Sequence, residues 1–361
     1  MRYLQEFRDR AAARGMAQRI RRLDSRPVSL MEVCGTHTVT MFRHGIRDLL
    51  PASVRLISGP GCPVCVTTNA DIDKAIAMAS QPEVTLVTFG DMMKVPGSYS
   101  SLSEAKAEGA DVRVVYSPRD AIKVAQKRPE RSVVFFGVGF ETTAPTIAAC
   151  VVEAEALGLT NFSVFAVHKL IPPAMEALLE SGEVRIDGFL CPGHVSLVIG
   201  SQPYEFIPER FGVPCVITGF EPLDILQGVE MLLLQIQNGA RRVEIQYGRG
   251  VQPQGNPRAR EFLARVFQVA DADWRGLGTI PASGLKLQPA YAAFDAERVL
   301  VVETPPPKEH KGCLCGEVLR GVTTPPECPL FGTACTPERP VGPCMVSAEG
   351  TCAGWYQYGS R

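Results

Sequence analysis

Half of the chain's twelve cysteines fall close to its C-terminus: Cys313, Cys315, Cys328, Cys335, Cys344 and Cys352. The stretch that carries them, CLCGEVLRGVTTPPECPLFGTACTPERPVGPCMVSAEGTCAGWY, is rich in Pro and Gly and lacks the apolar periodicity of a core. Such a segment stays ordered only with a covalent or metal staple. Disulfides, zinc and an iron–sulfur cluster are the available staples. The choice among them sets the chemistry of the whole protein.

Compartment narrows that choice. The N-terminus, MRYLQEFRDRAAARGMAQRIRRL, has no apolar stretch of the secretory kind. It reads as a basic amphipathic helix docked through Tyr3, Leu4, Phe7 and Ile20. No apolar run approaches the ~20 residues of a membrane span; the longest, residues 133–140, has strand length. These features predict a cytoplasmic protein without a membrane partner, whose thiols stay reduced. Metal ligation is therefore favoured over disulfides. A net charge of −1 argues against nucleic acid as a partner.

Short β-branched runs alternate with helical patterns along most of the chain. Strands are predicted at 29–33, 54–57, 84–89 and 112–116, and again at 132–137, 163–167, 188–190 and 215–218. Helices are predicted at 69–79, 144–157, 173–180 and 222–237. This rhythm predicts parallel sheets with crossover helices. The fold class is α/β: two Rossmann-like parallel-sheet domains and a Cys-rich C-terminal module. The two consecutive sets of four strands suggest a first domain over 1–122 and a second over 123–237. Residues 238–361 hold a return segment, with a strand at 243–247, a helix at 258–269 and a strand at 298–302, and then the terminal module. Whether 238–300 joins the first domain or the module is left open.

In open parallel sheets ligands bind beyond the carboxyl ends of the strands, and four loops there carry reactive side chains. Cys34-Gly-Thr-His37 places a thiol and an imidazole on one turn. Such a pair suits iron, zinc or copper, or a Cys–His nucleophile; a buried thiol beside a hydrogen-bonded histidine is the alternative. Cys62-Pro-Val-Cys65 lies between a strand and a helix, where a helix N-terminus favours a thiolate. Two close cysteines there can cycle between dithiol and disulfide. Gly137-Val-Gly-Phe-Glu141-Thr-Thr departs from a dinucleotide loop, because Thr142 stands where the third glycine belongs. Thr142 or Thr143 is expected to cap the next helix, and Glu141 to project into the cleft. Cys191-Pro-Gly-His194 sets a histidine at a strand end, a common place for an acid, base or ligand. His168, followed by Lys169, has the same ambiguity, and Cys150 and Cys215 read as core thiols. No P-loop, HExxH or C-x-x-x-C-x-x-C motif is present.

In this order along the chain, CGTHT, GPGCPVC, GFETTAP, HKLIPP, CPGHVS and the terminal cysteine pattern resemble the HypD family of hydrogenase maturation factors. The resemblance runs from about residue 30 to the C-terminus. It implies a scaffold with redox activity, rather than a turnover enzyme, on which the Fe(CN)2CO unit of [NiFe]-hydrogenases is assembled. Its partners would be a HypC-type chaperone, a HypE-type cyanide donor and, indirectly, the hydrogenase large subunit. It also implies a [4Fe-4S] cluster in the terminal module and two α/β domains flanking a cleft. Carried over to this sequence, it places iron at Cys34 with His37 close by, a redox pair at Cys62 and Cys65, and supporting roles at Glu141 and His194. A four-iron cluster takes four thiolates. Cys313, Cys328, Cys335 and Cys352 are the expected set, with Cys315 and Cys344 as alternates. The rival readings are an iron–sulfur thiol–disulfide oxidoreductase and a zinc-stapled interaction scaffold.

Overall fold

The computed structural model describes residues 6–23 and 26–359. The β-branched runs fold as strands β1 (Val28–Glu32), β2 (Val54–Ser58), β3 (Val84–Thr88), β4 (Asp111–Val114), β5 (Ser132–Gly137), β6 (Phe162–Ala166), β7 (Gly188–Pro192), β8 (Cys215–Thr218) and β9 (Val243–Ile245). A hairpin follows, β10 (Phe267–Trp274) and β11 (Gly278–Leu287). Strands β3, β6, β7 and β8 are buried along their whole length. That is the state expected of parallel strands covered on both faces.

The pairing does not follow two consecutive sets of four strands. One parallel sheet has the order β2-β1-β7-β8-β9 and the other β4-β3-β5-β6. The chain leaves the first sheet after β2, builds the second, and returns at β7, so the second sheet spans residue 122. Periodicity marks a strand but not its partner, which is why the sequence suggests a sequential division. The return puts β7 directly beside β1, with Leu30 in register with Gly188. From this junction β1 leads outward to β2 and β7 to β8, so the connections diverge. A crevice at such a reversal is the favoured ligand site of an open parallel sheet.

Three local expectations change. The stretch 258–269 is a helix only as far as Val266 (Pro257–Val266), and Phe267 opens β10. Its apolar positions serve a helix and then a strand. Residues 298–302 form no strand; a short helix, Ala296–Val299, occupies the start, capped by Asp295. Thr143 stands at the N-cap of the helix Ala144–Ala156, yet its hydroxyl donates to the Phe140 carbonyl and caps nothing.

The N-terminal helix, Arg10–Arg22, buries Ala17 and Ile20 and packs on the helix Pro222–Gln237. Phe7 lies 4.0 Å from the Arg249 guanidinium. Tyr3 and Leu4 fall outside the described residues. Among the described residues no helix is long and apolar enough to cross a membrane.

The terminal segment has little regular structure, but it docks at two defined places. The helix Pro343–Val346 packs on the one-turn helix Pro63–Val66 of the Cys62 loop. The helix Thr351–Tyr358 packs on Gly35–Arg43, with the Phe42 and Trp355 rings 5.2 Å apart and Arg47 over both. Each of two cysteine loops of the first sheet is thus backed by a piece of the C-terminal segment.

Candidate functional site

The carboxyl ends of β2, β1, β7 and β8 lie in a row, so four loops distant in sequence become neighbours. Cys34 follows β1 and is the N-cap of the helix Gly35–Arg43. Its sulfur stands at the helix N-terminus, where the nearby Thr36 and His37 N–H groups favour the thiolate without capping to it. Beneath it, the fully buried Glu32 accepts from the Cys34 N–H at 2.8 Å and from the Thr38 hydroxyl. Burial lifts the Glu32 carboxyl to about 7 despite these donors. The Cys34 thiol is pushed up to about 12, first by burial and then by the carboxylates of Glu349 and Glu32.

The Cys62 loop is locked against this turn. The Gly35 N–H donates to the Gly61 carbonyl at 2.9 Å. A Cβ on Gly61 would lie 2.1 Å from the Cys34 nitrogen, so only glycine permits this approach. Cys62 is itself an N-cap, and its sulfur accepts from the Cys65 N–H at 3.3 Å. Of the pair, Cys62 rather than Cys65 receives the helix N-terminus. The helix Asn69–Ala79 is capped by Thr68, so it lends nothing to Cys65. Burial holds the Cys65 thiol well above the ordinary range, against the expected thiolate.

Cys34 and His194 line one cavity of about 430 Å³. Gly61, Pro63 and Pro192 from the first sheet and Phe140, Thr142 and Thr143 from the second also line it, so the cavity lies between the carboxyl ends of both sheets. His194 is the second residue of the helix Gly193–Ile199 and stacks on Phe220 with centroids 3.7 Å apart. Burial lowers its basicity.

Two expected residues lie elsewhere. His37 is absent from the cavity wall. Its Nε2 is 2.9 Å from the Gly219 carbonyl and 3.0 Å from the Thr218 hydroxyl, and its ring stacks on Phe220. Three residues into the helix, the side chain faces β8 rather than Cys34. Burial lowers its pKa to about 4, so the ring is neutral. Glu141 does not project into the cavity either. It is buried beneath it, where one oxygen accepts from the Ile171 N–H at 3.0 Å and Oε2 has no hydrogen-bond partner. Burial raises its carboxyl to about 7.

One residue was not anticipated. Glu349 enters the cavity from the C-terminal segment, and its Oε1 accepts from the Thr36 hydroxyl at 2.7 Å. Its Cβ lies where a side chain at residue 35 would go, which explains Gly35. The available signal was an acidic residue inside the terminal motif GPCMVSAEGTCA.

All six terminal cysteines line a single small pocket, together with Leu314, Val318, Leu330, Phe331, Gly342 and Met345. No charged side chain takes part. The Sγ atoms of Cys315 and Cys344 are 2.9 Å apart. Cys344 lies in the helix that packs on the Cys62–Cys65 turn, and the neighbouring Cys352 and Cys65 thiols help hold its own thiol well above the ordinary range. Neighbouring cysteines therefore form a chain of sulfur from the terminal pocket toward the Cys62–Cys65 loop, and Gly61 of that loop packs on the Cys34 backbone. Among the described residues no three His, Cys, Asp or Glu side chains are gathered as around a single metal ion. A four-iron cluster holds its thiolates further apart than one ion does, and an all-thiol donor set in an apolar pocket suits it.

A family model named HypD, described as "Hydrogenase formation hypA family", matches residues 11–359. The chain is 50% identical to the hydrogenase maturation factor HypD of Rhizobium leguminosarum bv. viciae, covering 99% of this chain and 96% of that protein. It is 51% identical to the hydrogenase expression/formation protein HupD of Azotobacter chroococcum, covering 100% and 98%. It is 48% identical to the HypD of Escherichia coli K12, covering 99% and 98%.

Proposed function

The chain belongs to the HypD family of hydrogenase maturation factors, and on that premise we propose that it is the scaffold on which the Fe(CN)2CO unit is assembled. The iron is its cargo, received at Cys34. The observation that carries this reading is the position of Cys34. It sits at the N-terminus of the helix Gly35–Arg43, in a cavity at the sheet reversal, with its turn locked to the loop of a second thiol pair.

Cyanide and CO are strong-field ligands that favour a low-valent iron with a soft protein donor. A single thiolate at Cys34 leaves other positions open for them and for a thiolate of a HypC-type chaperone, with cyanide delivered by a HypE-type donor. Metal binding requires the Cys34 proton to leave, and Glu349 is the acidic group of the cavity wall that can take it. His194, stacked on Phe220, supplies an imidazole to the same space. His37 acts from outside the cavity, its ring also stacked on Phe220 with centroids 4.9 Å apart. Glu141 serves as a buried prop under the helix Ile171–Ser181.

Cys313, Cys328, Cys335 and Cys352 would hold the [4Fe-4S] cluster, which supplies one-electron reducing equivalents when bound. Cys315 and Cys344 then stand between that set and Cys65. Reduction of a Cys62–Cys65 disulfide takes two electrons and two protons and leaves two thiols.

Anaerobically purified protein should be brown, with broad absorption near ~400 nm. Its complex with a HypC-type chaperone should show infrared bands of bound CO and CN. Colourless, zinc-loaded protein would overturn the iron–sulfur assignment, and a brown complex without those bands would overturn the scaffold.

A further inference from the structure

A cavity of about 660 Å³ adjoins the thiol pocket, and its wall does not include Cys34. Cys313 and Cys315 belong both to its wall and to the wall of the thiol pocket. Its other lining residues include Arg275, Lys308, His310 and Lys311, with Glu309 as the acidic member. The cavity around Cys34 is the reverse: its wall has no Lys or Arg and includes Glu349. The two ends of the sulfur chain thus open into spaces of opposite electrostatic character.

The basic side chains are held in place. Residues 301–310 have no regular structure and mostly lie on the surface, yet the chain is pinned at three points. Tyr99 donates its hydroxyl to the Pro306 carbonyl at 3.1 Å, and the Lys308 N–H donates to the Ser98 hydroxyl at 2.8 Å. Asn69 donates its amide to the Lys308 carbonyl. Arg275 is buried beneath, held by the Thr67 carbonyl and by Asn69. Lys308, His310 and Lys311 themselves are exposed.

We propose that this basic rim is the docking surface of an acidic one-electron carrier protein, which reduces the chain through the wall formed by Cys313 and Cys315. The inference rests on the redox reading of the terminal module and of Cys62 and Cys65. A protein surface is favoured over a small anion for two reasons. Lys308 and Lys311 are exposed on one strap, with the Lys308 ammonium 5.0 Å from the Tyr99 ring, and the buried donor Arg275 is already engaged by Thr67 and Asn69. Charge of one sign around an opening raises encounter rates for carriers of the other sign and turns them away from the acidic cavity. Each carrier molecule is oxidised by one electron. Two transfers and two protons from water break the Cys62–Cys65 Sγ–Sγ bond and leave two thiols.

The test uses an acidic plant-type [2Fe–2S] ferredoxin as probe. Oxidised ferredoxin should bind the intact protein in calorimetry at low salt and dissociate at high salt. The Lys308→Glu/Lys311→Glu variant, with an unchanged unfolding midpoint, should bind about tenfold or more weakly. Reduced ferredoxin should generate the two thiols more slowly in the variant by a similar factor. Photoreduced 5-deazariboflavin, a neutral donor, should generate them at the same rate in both proteins. Equal ferredoxin binding and equal rates in the two proteins would overturn the docking site. So would binding of inorganic phosphate without binding of ferredoxin, which would mark a small-anion pocket. If neither donor yields thiols in the unmodified protein, the redox reading itself fails and the docking site falls with it.

Discussion

Cys34 and the terminal cysteines are both thiol sites, but the chain holds them in opposite ways. Cys34 sits on a frame that exists without it: a strand end, a helix N-terminus, and a buried Glu32 gripping the backbone below. The terminal thiols face each other across an apolar pocket in a segment of short helices and turns. There the sulfurs are part of the packing, so what links them decides whether the segment is ordered. On the proposed reading the contrast separates two jobs: a receiving site needs a rigid frame with an open valence, and an electron store needs a closed thiol shell.

The largest expected effect falls on the second site. Cys328→Ala or Cys335→Ala should give colourless protein whose C-terminal segment is rapidly cleaved by protease, because the segment has too little apolar surface to order itself. A full iron complement with unchanged proteolysis would remove these residues from the ligand set and blur the contrast.

The frame around Cys34 should break through its backbone rather than its sulfur. Gly61→Ala forces a Cβ against the Cys34 nitrogen and should cost about 3 kcal/mol in denaturant unfolding. An unchanged unfolding midpoint would mean that the two loops are not locked together.

Glu141 gives a smaller effect of opposite sign. Its carboxyl is raised from 4.5 to about 7 by burial, so the folded state binds the proton more tightly than the unfolded state does. Stability is therefore highest below about pH 4.5 on this group's account and declines as pH rises toward 7. Glu141→Gln keeps an acceptor for the Ile171 N–H and removes the ionisation. It should stabilise the protein at pH 8 by about 1–3 kcal/mol and flatten the decline. A wild-type pH profile in the variant would put Glu141 in solvent contact.

The smallest effect on stability is expected at Cys62, where the change is chemical. Mild oxidation should lower the free-thiol count by two, and Cys62→Ser should abolish that loss while leaving the unfolding midpoint in place. Equal thiol loss in both proteins would move the redox pair elsewhere.

Much of this contrast was legible in the sequence, for local reasons. The β-branched runs located β1 to β8, and strand ends with Cys, Gly and His located the loops. Pairing was not legible, because the neighbour of β1 is β7, a long way down the chain. That one adjacency brings Cys34 and His194 into one cavity. His37 was misplaced because spacing of three residues does not say which way a helix faces; its ring turns to Thr218 and Gly219. Glu349 was missed because its position depends on docking of the C-terminal segment against Gly35. The hairpin β10–β11 was missed as well, although Gly276 and Gly278, both at positive φ, mark its turn.

The central claim is that Cys34 receives the iron on a frame independent of its own sulfur. Infrared spectroscopy of the Cys34→Ala variant, purified anaerobically with a HypC-type chaperone, tests it most directly. The variant should keep the absorption near ~400 nm and the thermal midpoint of the unmodified protein, and lose the CO and CN bands entirely. Full CO and CN bands in Cys34→Ala would contradict the claim and move the iron to the Cys62–Cys65 loop.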